Sequence, residues 1–143
     1  MFSVLAIASL LVALTVILHT YGLGFLLRRL MTSGPLPTTR LAPIVQRLIH
    51  ITWVLLLIHG LEIGVWGVFF HGLHCFPDWE TSLYFSAVTY TTLGYGDVVL
   101  PTPWRLLGPI EGLTGILMSG LSVGVFAAHV GRVTGVRLDP PAG

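Results

Sequence analysis

Thr92-Leu93-Gly94-Tyr95-Gly96-Asp97 stands between two long apolar stretches, and its reading decides the fold. Backbone inside a membrane normally hides its carbonyls in its own hydrogen bonds. A Thr-x-Gly-Tyr-Gly run suits the opposite task, because consecutive carbonyls turned toward one axis can replace the water around a dehydrated ion. That arrangement needs backbone conformations of alternating hand, and positive φ is cheap only for glycine. Thr92 adds a hydroxyl below its own carbonyl, and Tyr95 offers a large ring to brace the strand from behind. Six residues alone match by chance. A short amphipathic helix before them and a spanning helix after them give the match its weight.

The surrounding composition belongs in lipid. Of 143 residues, 54% are hydrophobic and 9% charged, with a mean hydropathy of +0.87, whereas a soluble domain carries roughly 25% charged residues. Three stretches, Phe2–Leu27, Ile44–Phe70 and Pro103–Val130, exceed the ~20 residues that a hydrocarbon core requires. A net charge of +1 argues against nucleic acid or an acidic partner. The first stretch lacks a basic leader and is too long for a signal peptide, so it reads as a retained helix. The single Cys75 rules out an internal disulfide framework; a bridge to another subunit stays open beside a free thiol.

Charge placement sets the orientation. Lysine is absent; Arg28, Arg29, Arg40 and Arg47 flank the first connection, Arg132 and Arg137 follow the last span, and only Arg105 falls elsewhere. The positive-inside rule then puts the first connection and the C-terminus in the cytoplasm, with the N-terminus and the region 70–103 outside.

The chain divides into an N-terminal spanning helix (1–30), a cytoplasmic linker (31–43), a larger unit (44–131) and a short cytoplasmic tail (132–143). The linker follows from Thr32-Ser33-Gly34-Pro35-Leu36-Pro37, which cannot continue a helix. Pro43 suits the first turn of an outer helix over 44–70. His71–Pro77 reads as a turret-like loop. Asp78 is the expected N-cap of a helix over 79–90, with Glu80 in its first turn. Twelve residues at 1.5 Å each make about 18 Å, too short to cross a bilayer and long enough to reach its middle. Its carbonyl end then favours a cation there. The chain returns outward through 91–97, Pro101 and Pro103 end the return, and an inner helix occupies 103–130. Irregular backbone at that depth requires a protein or water lining, which implies a pore. The expected fold is an all-α membrane protein: three transmembrane helices plus a re-entrant helix and loop.

The residues 44–130, and Ser82 through Asp97 above all, resemble the pore module of the potassium channel family, in its bacterial two-helix form with an extra N-terminal helix. The resemblance implies a homotetramer in the cell (inner) membrane, since one pore loop per chain needs four copies to encircle an ion. It implies passive, K⁺-selective conduction, no enzymatic activity and no cofactor, with K⁺ held by the Thr92 hydroxyl and the carbonyls of Thr92, Leu93, Gly94 and Tyr95. Gly96 completes the filter, and Thr91, Val88, Tyr84 and Asp97 support it. Val88 stands where some relatives carry a pore-helix Glu. The first span lacks the spaced Arg residues of a voltage sensor, and the tail is too short for a ligand-binding domain. The alternatives are a weakly selective cation channel and a non-conducting, regulatory channel-like subunit.

Glu62 and Glu111 lie inside spans, and ionisable residues there read as functional or as structural hydrogen-bonding groups. Helical rise puts both ~12 Å below the outer surface, behind the expected filter, with His59 on the Glu62 face. If adjacent, the two acids would titrate as a coupled pair. Gly115 or Gly120 are hinge candidates by resemblance; the default role of the helix glycines is close packing. Met118, Ser119, Ser122 and Phe126 are the candidates for lining a cavity. His71, His74, Cys75 and Asp78 could ligate a metal, but a solvated loop fits their spacing better. His19, His50 and His129 occur singly, which favours interfacial or helix-contact roles and argues against a haem-binding bundle.

Overall fold

The computed structural model describes residues 2–33 and 41–134, with side chains as far as 131. The expected linker core at 34–40, the tail beyond 134 and the side chains of Arg40, Arg132 and Arg137 lie outside the described residues. Four α-helices form among the described residues: α1 (Phe2–Thr32), α2 (Leu41–Gly72), α3 (Trp79–Tyr90) and α4 (Leu107–Thr134), with a 3₁₀ turn at Thr102–Trp104 before α4. Three helical segments, Phe2–Thr32, Leu41–Gly72 and Thr102–Gly131, are long and apolar enough to cross a membrane.

The bounds differ from the expected ones at the ends. The first helix runs on past Arg29 to Thr32, and the outer helix gains a few residues at both ends. The inner helix does not begin at Pro103. Pro101 and Pro103 instead set the 3₁₀ turn, because a proline ring supplies no donor and resists the α geometry of its predecessor. The short helix keeps its expected span. Asp78 caps it through a 2.7 Å hydrogen bond from the Thr81 N–H to Oδ1, and Glu80 sits in its positive first turn.

The buried residues of α1 — Val4, Ala8, Leu11, Thr15, His19, Leu23 and Leu26 — recur every three or four positions, which places them on one stripe. That stripe runs antiparallel along α2 in a steady register. Thr15 meets Trp66, one turn on His19 meets Glu62, and one turn further Gly22 lies against Ile58. At the level of Trp66 and Phe70 the packing is aromatic: the Phe85 ring of α3 sits 5.3 Å from Phe70 and 5.0 Å from Phe76. Leu107 of α4 and Leu100 close the same core. This core hangs α3 between α2 and α4.

Candidate functional site

The loop after α3 is built from its hydrogen bonds. The N–H groups of Thr91, Thr92, Leu93 and Gly94 all turn back onto α3. They reach the carbonyls of Ala87 (3.1 Å), Thr89 (2.9 Å) and, for the last two, Val88 (2.9 and 3.2 Å). Three of the last four carbonyls of the helix, those of Ala87, Val88 and Thr89, are thereby satisfied. No described residue donates to the carbonyls of Thr92, Leu93, Gly94 or Tyr95. The backbone has positive φ at every second residue: Thr92 at 62°, Gly94 at 54° and Gly96 at 77°. Glycine adopts this hand freely; a β-branched residue does so at a cost. Thr92 was expected to contribute oxygens, not to share the strained conformation.

Residues 91–97 are all exposed within the single chain. Tyr95 is 66% exposed, so its ring braces nothing in its own subunit. Val88 is buried, and its carbonyl holds the loop. Tyr84 donates its hydroxyl to Asp97 Oδ2 at 2.7 Å, joining the first half of α3 to the far end of the loop.

Behind this loop the two intramembrane acids each bind α3. Glu62 accepts the hydroxyl of Tyr90 in a short hydrogen bond. Glu111 meets the Ser86 hydroxyl at 2.6 Å, and the same hydroxyl reaches the Ile63 carbonyl at 2.8 Å. Ser86 and Tyr90 are one helical turn apart, so a single face of α3 serves both acids. Both carboxylates have zero exposure. No hydrogen bond joins Glu62 to Glu111, so the coupled pair is not formed by contact; each acid is occupied by its own α3 hydroxyl.

Glu62 gathers more. His59 Nδ1 lies 3.1 Å from Glu62 Oε2 and 3.0 Å from the Tyr90 hydroxyl, while its Nε2 lies 3.0 Å from Ser122 Oγ on α4. His19 Nδ1, from α1, lies 2.8 Å from Glu62 Oε1. His19 thus makes a contact between helices, and it does not stand singly as its sequence position suggested: the His19 and His59 rings are 5.4 Å apart. The sequence alone did not name a partner for His19. It shares the buried α1 stripe with Thr15, one turn away, and polar side chains aligned on a buried stripe need partners.

Two of the cavity candidates are also corrected. Met118 and Ser122 are buried among the chain's own helices, and Ser122 is committed to His59. Ser119 is exposed and Phe126 half-buried. Gly115 lies against the last carbonyl of α3: a Cβ there would sit on the Tyr90 oxygen and 3.0 Å from its carbon. Close approach to α3 thus accounts for this glycine, while Gly120 has open space around it. In the last turn of α2, the His71 ring stacks on Trp79 at 4.1 Å, and among the described residues it does not join His74, Cys75 and Asp78 in a donor set. Partial burial pushes the Cys75 thiol up from its ordinary pKa. The backbone N–H of Thr81 holds the Asp78 carboxyl below the usual carboxylate range.

Three apolar spans, with a short capped helix and a loop of open carbonyls between the second and third, define a multi-pass, all-helical membrane protein. Residues 58–131 match the family described as ion channel. That is more than half of the chain, which therefore belongs to the ion channel family. No curated protein and no solved structure matches it.

Proposed function

We propose that the chain is a K⁺-selective channel, conducting passively as a homotetramer in the cell membrane, with its N-terminus outside and C-terminus in the cytoplasm. The observation that carries this reading is the backbone from Thr92 to Gly96. Its φ alternates in hand while the N–H groups of Thr92, Leu93 and Gly94 are spent on α3, which leaves a row of carbonyls with no partner among the described residues. Unpartnered carbonyls at membrane depth are tolerable where they solvate something. Oxygens of this kind replace an ion's hydration shell.

One chain leaves residues 91–97 exposed, so several copies are needed to close a ring around an ion, and four filter strands are the number the resemblance implies. α3 acts as the pore helix, its carbonyl end favouring a cation. Thr92, Leu93, Gly94 and Tyr95 form the ion sites, and Tyr84, Val88, Thr91 and Asp97 hold the strand in place.

The test is electrical. Purified protein in planar bilayers with opposed K⁺ and Na⁺ solutions should reverse near the K⁺ equilibrium potential. A reversal near zero with intact current would make it a weakly selective cation channel, and no current from a folded tetramer would make it a non-conducting subunit. Native mass measurement in detergent should give four chains; any other count removes the proposed ring.

A further inference from the structure

The buried cluster behind α3 has the composition of a metal centre. His19, His59 and Glu62 each offer a ligand atom, and these atoms lie within 4.8 Å of one another, the only such group among the described residues. Both imidazoles present Nδ1 to the same carboxylate, at 2.8 and 3.1 Å. The Tyr90 hydroxyl joins them 3.0 Å from His59 Nδ1. Ligand atoms at ~2.0 Å from a tetrahedral ion stand about 3.3 Å apart, so the 2.8 and 3.1 Å contacts would open slightly around an ion while any wider separation within the 4.8 Å group would close.

We propose that His19, His59 and Glu62 bind a divalent transition-metal ion of the Zn²⁺ type, with Tyr90 or an added ligand completing the shell. Imidazole with carboxylate is a donor set that first-row ions favour. The surroundings fit as well. Glu62 is fully buried, with two imidazoles and a phenol gathered around its carboxyl group, and buried carboxyl groups are commonly paired or coordinate a metal. His59 is oriented through its far nitrogen by Ser122, the kind of outer contact that fixes a ligating ring. His19 is buried with Nε2 unpartnered, so Nδ1, the atom facing the carboxylate, is its single polar anchor.

The ligands come from α1 and α2, the supporting hydroxyls from α3 and α4. A bound ion would therefore fasten the N-terminal helix to the other three, one residue before the loop that starts at Thr91. This gives α1 a role that conduction alone does not require. Metal binding is measured without ion flux, so it stands or falls apart from the K⁺ reading.

The experiment uses the full chain in detergent, stripped with chelator and loaded with Co²⁺. We expect about one Co²⁺ retained per chain after desalting, with the intense visible bands of a tetrahedral nitrogen–oxygen site. Zn²⁺ should displace it and raise Tm. A His74→Ala/Cys75→Ser variant, which strips the donors of the outer loop, keeps the ion. His19→Gln loses it, and Ser122→Ala weakens it roughly 10- to 100-fold. Wild-type protein that retains no Co²⁺ overturns the proposal. So does retained Co²⁺ that shows thiolate charge-transfer bands or disappears with the loop variant. These two readouts decide the matter even where His19→Gln does not fold.

Discussion

The Tyr84 hydroxyl donates to Asp97 Oδ2 across 2.7 Å, tying α3 to the end of the loop that leaves it. The other polar ties within the loop, from its first four N–H groups and the Thr91 hydroxyl, all run to the helix terminus. The outer half, Tyr95 to Asp97, thus depends on this single side-chain bond. Tyr84→Phe removes it while leaving the ring. On the proposed K⁺-channel reading, the expected outcome is a folded protein of wild-type Tm whose K⁺ current decays faster under sustained activation. Tyr84→Phe currents that persist like wild type would show that the bond does not hold the loop.

Asp78 offers a pH test at the other end of α3. Its carboxyl is held below the usual range by the Thr81 N–H, so its folded pKa lies under its unfolded one. Such a group contributes stability above the unfolded value, about pH 4, and loses it as pH falls through the folded value. Asp78→Ala should therefore lower Tm by a few degrees near neutrality, and the gap should close in acid. A gap that stays constant into acid would assign the loss to something other than the cap.

Thr15 accepts the indole N–H of Trp66 at 3.0 Å while giving its own hydroxyl to Leu11. Both residues are fully buried. Thr15→Val keeps the shape and strands the indole donor, which should cost about 1–3 kcal/mol. Denaturant titration of the solubilised protein measures it. Trp66→Phe on top of Thr15→Val should recover part of the loss, because it removes the stranded group.

How far the sequence reached depends on what kind of contact each element needed. Asp78, Glu80 and the fixed length before Thr91 made α3 legible, because capping is local. The spans followed from apolar length alone. The start of α4 was misplaced because Pro103 reads equally as a helix opening or as a 3₁₀ turn. The site behind α3 was legible in part. Glu62, Glu111 and His59 stood out as costly residues in lipid, while His19 and Ser86 did not. A histidine or serine in an apolar run declares itself only through its partner on another helix, and the register that pairs α1 with α2 is a property of packing. Ser122 was misread for the same reason. Periodicity places it on a face of α4 without saying which neighbour that face meets.

The glycines of α4 separate packing from hinge motion. Gly115 has the Tyr90 carbonyl where a Cβ would go, whereas Gly124 has nothing within 4 Å. Gly115→Ala should destabilise by about 1–3 kcal/mol through overpacking, and Gly124→Ala should leave stability unchanged or slightly improved. Thermal unfolding of the two variants side by side checks the contrast. Equal Tm values would mean that α4 is not pressed against the end of α3.

Thr92 is where stability and function pull apart most sharply. At φ 62° a β-branched residue occupies a conformation that costs roughly 1–2 kcal/mol relative to glycine. Thr92→Gly relieves that cost and should raise Tm, despite glycine's larger loss of freedom on folding. It also deletes the hydroxyl proposed to contact the innermost ion, so the K⁺/Na⁺ permeability ratio should fall in the same protein. Gly94→Ala makes the opposite change: a Cβ at φ 54° strains the strand, and both Tm and current should drop. A Thr92→Gly channel that is more stable and equally selective would detach the hydroxyl from ion binding. The strain at Thr92 would then have to be explained by the packing of its neighbours in the assembled ring.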